Sequence, residues 1–414
     1  MPTHQAPRAV SLRFAGALIV VALLAGGGAA FAATRLSRHA HGSTDSSTGT
    51  SATIAQQAGA TTTKATGSTT STSVSQSTST TRPPVLSVTS ISPPAQAVSV
   101  SPTRPITVTL SAPIAASSPR PTIAPAAPGT WQIHGNVVSF VPSEPLLPLS
   151  EITLRVPGGA AGVRSTDGGT LSRTVTEHFR IVDASILRLQ QLLSLLDYSP
   201  LSWTPRGAAV APGNAAAQLA ALYSPPVGHF SWLNRGWPRQ LRALWRRGVD
   251  NVFTRGLIMS FEADHGLTPN GNLGPSLWNA LLVALQANTV NTGGYNFALA
   301  NKTVPETLTV WHDGKVVIKS PANTGIAQSP TADGTFTVYS RLRSQVMKGT
   351  NPNGSPYADL VQYIAYFNGN DAVHYMPRAG YGIPQSLGCV ELPYSDAAAV
   401  WPYLAYGTLV MVVN

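Results

Sequence analysis

Two residue types capable of covalent chemistry stand near the C-terminal end, His374 and Cys389, separated by fourteen residues that include Gly380, Gly382, Pro384 and Gly388. His374 ends an apolar run that holds Tyr363 to Tyr366, Ala372 and Val373, and Cys389 opens another with Val390 and Leu392. A Gly- and Pro-rich excursion lets the chain leave one strand and return beside it, bringing imidazole and thiol together. A thiol with its ordinary pKa of about 8.5 is mostly protonated at neutral pH, and a nearby imidazole can take that proton and stabilise the thiolate that reacts. Gly388 supplies backbone freedom just before the sulfur, and peptide N–H groups around Leu387, Gly388 and Cys389 can point at a developing oxyanion. The pair therefore suits acyl transfer, against the plainer alternative of a structural cysteine in a turn. As the single cysteine, Cys389 excludes an internal disulfide framework and four-cysteine metal sites, and two ligands at this spacing do not fill a tetrahedral shell.

The remainder of the 414 residues has to deliver and hold that pair. Only 11% of residues are charged while 43% are hydrophobic, with 36 Gly and 34 Pro, whereas about 25% charged is usual for a soluble domain. Such a balance suits an exported, partly unstructured protein better than a cytosolic enzyme, and the length predicts two or three domains. The net charge of +10 is diffuse. With no basic tail and no base-reading motif it excludes nucleic acid as a partner and leaves solubility, or contact with an anionic surface.

Residues 1–13 form a short cytoplasmic N-terminus that ends in Arg13, followed at 14–33 by twenty uncharged, mostly apolar positions, enough to cross a hydrocarbon core as a helix. The missing polar c-region predicts an uncleaved signal anchor, although Ala30-Phe31-Ala32 offers a cleavage site that would release the chain. Residues 34–82 are a Ser/Thr-rich, disordered linker. Over 83–182, runs such as Ile106 to Leu110, Val137 to Pro142 and Ile152 to Pro157 alternate apolar with polar, which predicts an all-β sandwich with Trp131 and Phe140 in its core. From 184 to 286 the period becomes helical, with Ile186, Leu189, Leu192, Leu193 and Leu196 on one stripe. A second stripe of Trp237, Leu241, Leu244 and Trp245 leaves Arg239, Arg242 and Arg246 on other faces, either solvated or turned to a wall polyanion. Strands return over 305–414, opening on a hairpin with its turn at Asp313-Gly314.

Three stretches also resemble known families. Ser386-Leu387-Gly388-Cys389-Val390-Glu391-Leu392 is similar to the S-H-G-C-h-R/N signature of L,D-transpeptidases, the YkuD family. Thr324-Gly325, Ser329-Pro330-Thr331, Asp333-Gly334-Thr335-Phe336 and Tyr406-Gly407-Thr408-Leu409-Val410 follow that family's pattern in order. The sandwich segment resembles bacterial Ig-like domains. Gly256 to Leu282 resembles peptidoglycan-binding domains through Phe261, His265, Gly266, Leu267, Asn270, Gly271, Gly274, Pro275, Trp278 and Leu281, with Glu262 where Gln is usual and an insertion from about Ser202 to Asn251. Together these imply a multidomain chain: membrane helix, Ig-like sandwich, small α-helical peptidoglycan-binding-like domain, and mainly-β catalytic domain.

The YkuD resemblance implies Cys389 as nucleophile, His374 as general base, Ser386 as a member of the site, and Gly388 with Cys389 as oxyanion donors. Three residues depart from the pattern. Leu387 removes a histidine, Tyr375 replaces the small residue after the base, so that whatever orients His374 has to come from elsewhere or from a backbone carbonyl, and Glu391 reverses a charge. The implied activity is an extracytoplasmic L,D-transpeptidase that joins peptidoglycan stem peptides 3→3 through a cysteine thioester, needing no cofactor or metal. The alternatives are an L,D-carboxypeptidase using the same thioester, and an inactive wall-binding protein. The expected setting is the cell membrane with the bulk of a monomeric chain in the wall, or a secreted form if the signal is cleaved.

Overall fold

The structure is a computed structural model that describes residues 84–414. The expected cytoplasmic N-terminus, membrane helix at 14–33 and linker at 34–82 lie outside the described residues. Among the described residues no helix is long and apolar enough to cross a membrane.

The first nine strands are β1 (Val85–Leu86), β2 (Val88–Ser92), β3 (Ile106–Leu110), β4 (Thr122–Ala124), β5 (Gly129–His134), β6 (Val137–Pro142), β7 (Glu151–Val156), β8 (Thr170–Leu171) and β9 (Val175–Arg180). One antiparallel sheet has the order β2-β3-β6-β5 and the other β4-β7-β9, while β1 and β8 pair in parallel. Ile106, Val108 and Leu110 of β3, Val138 and Phe140 of β6, and Ile152, Leu154 and Val156 of β7 all turn inward and are buried. That is the period of two required when each sheet hides one face, and each such side chain contributes roughly 1.5–3 kcal/mol on burial. Phe140 sits in the core as expected. Trp131 is only half-buried and packs on Phe140 with ring centroids 5.3 Å apart.

The helical stretch holds α1 (Ile186–Leu195), a ribbon of β10 (Leu201–Pro205) with β11 (Gly228–Trp232), α2 (Ala215–Tyr223), α3 (Arg239–Leu244), α4 (Val252–Asp264) and α5 (Pro275–Ala287). Asn251 caps α4 by accepting the Thr254 N–H at 3.1 Å. Pro275 opens α5, and Asn288 ends it in the left-handed region at φ 53°. Leu189, Leu192, Leu193 and Leu196 are buried as the stripe predicts.

The third region contains β12 (Asn296–Asn301), β13 (Thr307–His312), β14 (Lys315–Pro321), β15 (Gly334–Thr337), β16 (Ser340–Thr350), β17 (Pro356–Asn368), β18 (Asp371–Tyr375), β19 (Val390–Leu392), α6 (Tyr394–Val400) and β20 (Leu409–Val413). One sheet runs β14-β13-β12-β20-β15 and the other β16-β17-β18-β19. The expected hairpin turn is present, with Asp313 and Gly314 both at positive φ. The sheet begins at Asn296 instead of Pro305, because β12 is a short Asn- and Ala-rich strand without polar–apolar alternation.

The missing alternation has a packing cause: the five-stranded sheet is covered on both faces. Ala298, Ala300, Leu308, Val310, Val410 and Val412 join a core with Ala365, Phe367, Val373, Val390 and Leu392 of the second sheet. Phe297, Leu409 and Met411 face the other way and share a core with Phe253, Leu257, Phe261, Trp278 and Leu281. A strand buried on both faces has no polar side, so LVMVV is apolar throughout.

The helices are therefore not the separate small domain expected over 184–286. Phe261, Trp278 and Leu281, which carry the peptidoglycan-binding resemblance, are fully buried in the shared core. Glu262, the departure from that pattern, accepts the N–H groups of Asn270 and Gly271 at 2.8 and 2.7 Å and so holds the turn after α4. Helix α4 and the turn before β20 meet at two glycines: a Cβ on Gly256 would lie 2.6 Å from the Gly407 carbonyl oxygen.

Candidate active site

Strands β18 and β19 run parallel, with Val373 opposite Val390, His374 opposite Glu391 and Tyr375 opposite Leu392. Extending that register one pair back sets Cys389 beside Ala372, one alternation from His374 on the same face. Both line a cavity of about 400 Å³. The glycine-rich excursion thus returns the chain alongside the strand it left, as the sequence implies.

The β16–β17 hairpin forms the other wall, contributing Met347, Lys348, Tyr357, Asp359, Val361 and Tyr366. Tyr357, Asp359 and Val361 share one parity and Tyr366 has the other. A bulge reconciles them: Tyr363 takes φ 58° and the pairing with β18 shifts between Gln362 and Ala365. The inserted residue lets both halves of the strand face the cavity.

His374 is buried, and its Nδ1 lies 3.0 Å from the carbonyl oxygen of Tyr375. A carbonyl only accepts, so in the neutral ring Nδ1 carries the hydrogen and Nε2 keeps the lone pair. The orienting group left open by the sequence is thus a backbone carbonyl. Burial pushes His374 below its ordinary pKa, partly opposed by the Tyr375 carbonyl and the Glu391 carboxylate.

Cys389 is half-buried, and its Sγ–H points to the Asn370 carbonyl oxygen at 3.7 Å. Burial pushes the thiol up to about 12, and the carboxylates of Asp371 and Glu391 push in the same direction. No hydrogen bond joins Cys389 to His374 among the described residues. Burial thus works against the thiolate that the sequence reading expects the imidazole to stabilise.

Gly388 adopts φ 121°, a conformation that L side chains rarely take, and a Cβ there would press on the Asp371 carboxylate. Its N–H donates to Ser386 Oγ at 3.2 Å, and Ser386 Oγ donates to the Cys389 carbonyl at 2.6 Å. Ser386 is fully buried. Its hydroxyl staples the cysteine loop instead of facing the cavity, and it occupies the Gly388 N–H that the sequence reading assigned to an oxyanion. Leu387, in place of the usual histidine, lines the cavity, and its carbonyl accepts from Ser329 Oγ at 2.9 Å.

Residues missed in the sequence hold the loop from behind. Asn323 exchanges both backbone hydrogen bonds with Glu391 at 2.9 Å, and its side chain accepts the Gly382 N–H at 3.0 Å. The Thr324 carbonyl accepts the N–H groups of Gln385 and Ser386. Thr324 is itself fixed by Glu306, whose buried carboxylate accepts its N–H at 2.6 Å and its hydroxyl at 2.7 Å. Glu391 is likewise not a bare reversed charge. Arg378 donates to it through Nε at 2.7 Å and Nη2 at 2.6 Å. A usable signal was present for Arg378, the only Lys or Arg after Lys348.

With this geometry in place, comparison with known proteins assigns the modules. Residues 296–412 match the family described as the L,D-transpeptidase catalytic domain, YkuD, and residues 80–180 match the bacterial Ig-like domain. Neither match reaches 184–286. L,D-transpeptidase 3 from Mycobacterium tuberculosis is similar at 17% identity over 79% of this chain and 98% of that one, with a TM-score of 0.27. An L,D-transpeptidase from Mycobacterium smegmatis is similar at 16% identity over 80% and 100%, TM-score 0.27. The catalytic domain of an E. faecium L,D-transpeptidase is similar at 25% identity over 28% and 96%, TM-score 0.27. No curated protein matches. The chain carries an L,D-transpeptidase catalytic domain of the YkuD family, preceded in sequence by a bacterial Ig-like domain.

Proposed function

We propose that this protein is an extracytoplasmic L,D-transpeptidase whose nucleophile is Cys389 and whose base is His374. The observation that carries this reading is the shared cavity, into which one sulfur and one imidazole with a free Nε2 both open. The proton passes from Sγ to Nε2 as sulfur attacks the carbonyl of the third stem residue. The oxygen becomes an oxyanion that backbone N–H groups of the loop, those of Leu387 and Cys389, stabilise. Collapse expels the amine of the terminal D-alanine, which takes the proton back from the imidazolium and leaves a thioester. An amine from a neighbouring stem then attacks the thioester, gives its proton to His374 and releases the thiol, forming a 3→3 crosslink. Ser386 and Gly388 serve by shaping the loop. The apolar segment at 14–33 and the linker that follows support a membrane anchor with the catalytic domain in the wall.

Incubation of the protein with a carbapenem, followed by intact mass measurement, is expected to give one covalent adduct that Cys389→Ala abolishes. An unmodified wild type, or an adduct surviving in the variant, overturns the assignment. Incubation with disaccharide tetrapeptide separates the outcomes of the thioester: dimer identifies transfer, and tripeptide alone identifies hydrolysis.

A further inference from the structure

We infer that Arg378 receives the carboxylate that terminates the donor stem and that Glu391 is the positioning residue that aims it; the inference deepens the reading above and rests on it. Both Arg378 and Glu391 line the cavity shared by Cys389 and His374. The Glu391 side chain is 3% exposed and both its oxygens are taken by Arg378, so its negative charge is consumed inside the wall. The Arg378 side chain is 25% exposed and also donates through Nη2 to the Gln385 carbonyl at 3.3 Å. Its Nε and Nη2 are thereby fixed on the protein, while Nη1 makes no hydrogen bond among the described residues. A guanidinium fixed through Nε and Nη2 holds Nη1 in place as a preformed, charged donor for a carboxylate.

Position agrees with this assignment. Glu391 lies two residues beyond Cys389, about 6.6 Å along an extended strand. In a stem ending in one residue after the scissile amide, the terminal carboxylate is the next charged group beyond the carbonyl under attack. A carboxylate docked at Arg378 leaves that carbonyl over the sulfur. The competing cation, Lys348, is exposed on the hairpin and forms no ion pair among the described residues.

The test uses full-length Cys389→Ala protein and calorimetric titration with the stem tetrapeptide as free acid and as C-terminal carboxamide. With Arg378 intact, the acid is expected to bind at least tenfold tighter than the amide. In the Arg378→Gln background that ratio is expected to fall to about one with amide affinity retained, and Arg378→Lys, which keeps the charge without the fork, to give an intermediate ratio. Lys348→Gln is expected to leave the ratio unchanged. A ratio that survives Arg378→Gln, or one lost in Lys348→Gln, overturns the inference. If Arg378→Gln fails to fold, an Arg378→Lys ratio equal to that of the Arg378 protein overturns it instead. Should wild type form the carbapenem adduct while acid and amide bind alike, only this inference falls; should there be no adduct and no binding of either peptide, the functional reading falls with it.

Discussion

Glu306 offers a direct test of how the cysteine loop is held, because a single side chain far from Cys389 in sequence carries the restraint. Its buried carboxylate accepts two hydrogen bonds from Thr324, whose carbonyl in turn takes the N–H groups of Gln385 and Ser386. Hydrogen bonds to a charged group contribute about 1.5–3 kcal/mol each, and removing the acceptor leaves buried donors unsatisfied. Glu306→Ala is therefore expected to cost about 3–5 kcal/mol. At roughly 2–4 °C per kcal/mol for a unit of 150–250 residues, the melting temperature should fall by at least about 6 °C. Glu306→Gln fills the space but turns an amide NH₂ toward one of the two donors, so about half that loss is expected. Scanning calorimetry reads stability, and the rate of carbapenem acylation reads the loop, which should react more slowly in both variants. A melting temperature within about 2 °C of wild type, with an unchanged acylation rate, would refute the chain of support from Glu306 to Cys389.

Two further outcomes follow from the geometry. The folded protein resists protonating His374, whereas the unfolded chain accepts a proton at the ordinary imidazole pKa of about 6.5, so acidification through that value binds protons to the unfolded state first and stability falls. Urea titrations between pH 5 and 8 should show this loss in wild type and a flatter dependence in His374→Gln, while the acylation rate, which follows the folded imidazole, should hold through the ordinary imidazole pKa and fall only at lower pH. At the contact between α4 and the turn before β20, Gly256→Val has to displace the Gly407 carbonyl, a backbone atom, and is expected to cost about 1–3 kcal/mol by overpacking. Gly213→Ala, with nothing within 4 Å of the added carbon, should melt with wild type; equal melting of both variants would deny the close approach.

The two residues that share the candidate site, His374 and Cys389, were legible because they are rare types at turn-defined spacing. His374, Cys389 and the hairpin at Asp313-Gly314 follow from local signals, and so does the alternation of β3, β6 and β7. What escaped depends on partners distant in sequence. No local pattern tells that Glu306 meets Thr324 or that Glu391 is closed off by Arg378, and a buried ion pair looks in sequence like two separate charges. The desolvation that pushes the Cys389 thiol up was invisible for the same reason, since it is a property of the folded cavity and not of the motif. Helices α4 and α5 were found by period, yet their periodicity could not say whether the buried stripe faces its own module or a neighbouring sheet. The first half of β17 and nearly all of β16 leave little apolar alternation to detect, because most of their residues are exposed.

The shared core under Phe297, Leu409 and Met411 means that the catalytic sheet is not autonomous. A fragment excised at the start of β12 would bare those side chains to water along a continuous oily strip, inviting self-association before any substrate arrived. For this chain the helices are thus a permanent lining of the enzyme, and losing them would be felt first as insolubility and only afterwards as lost turnover.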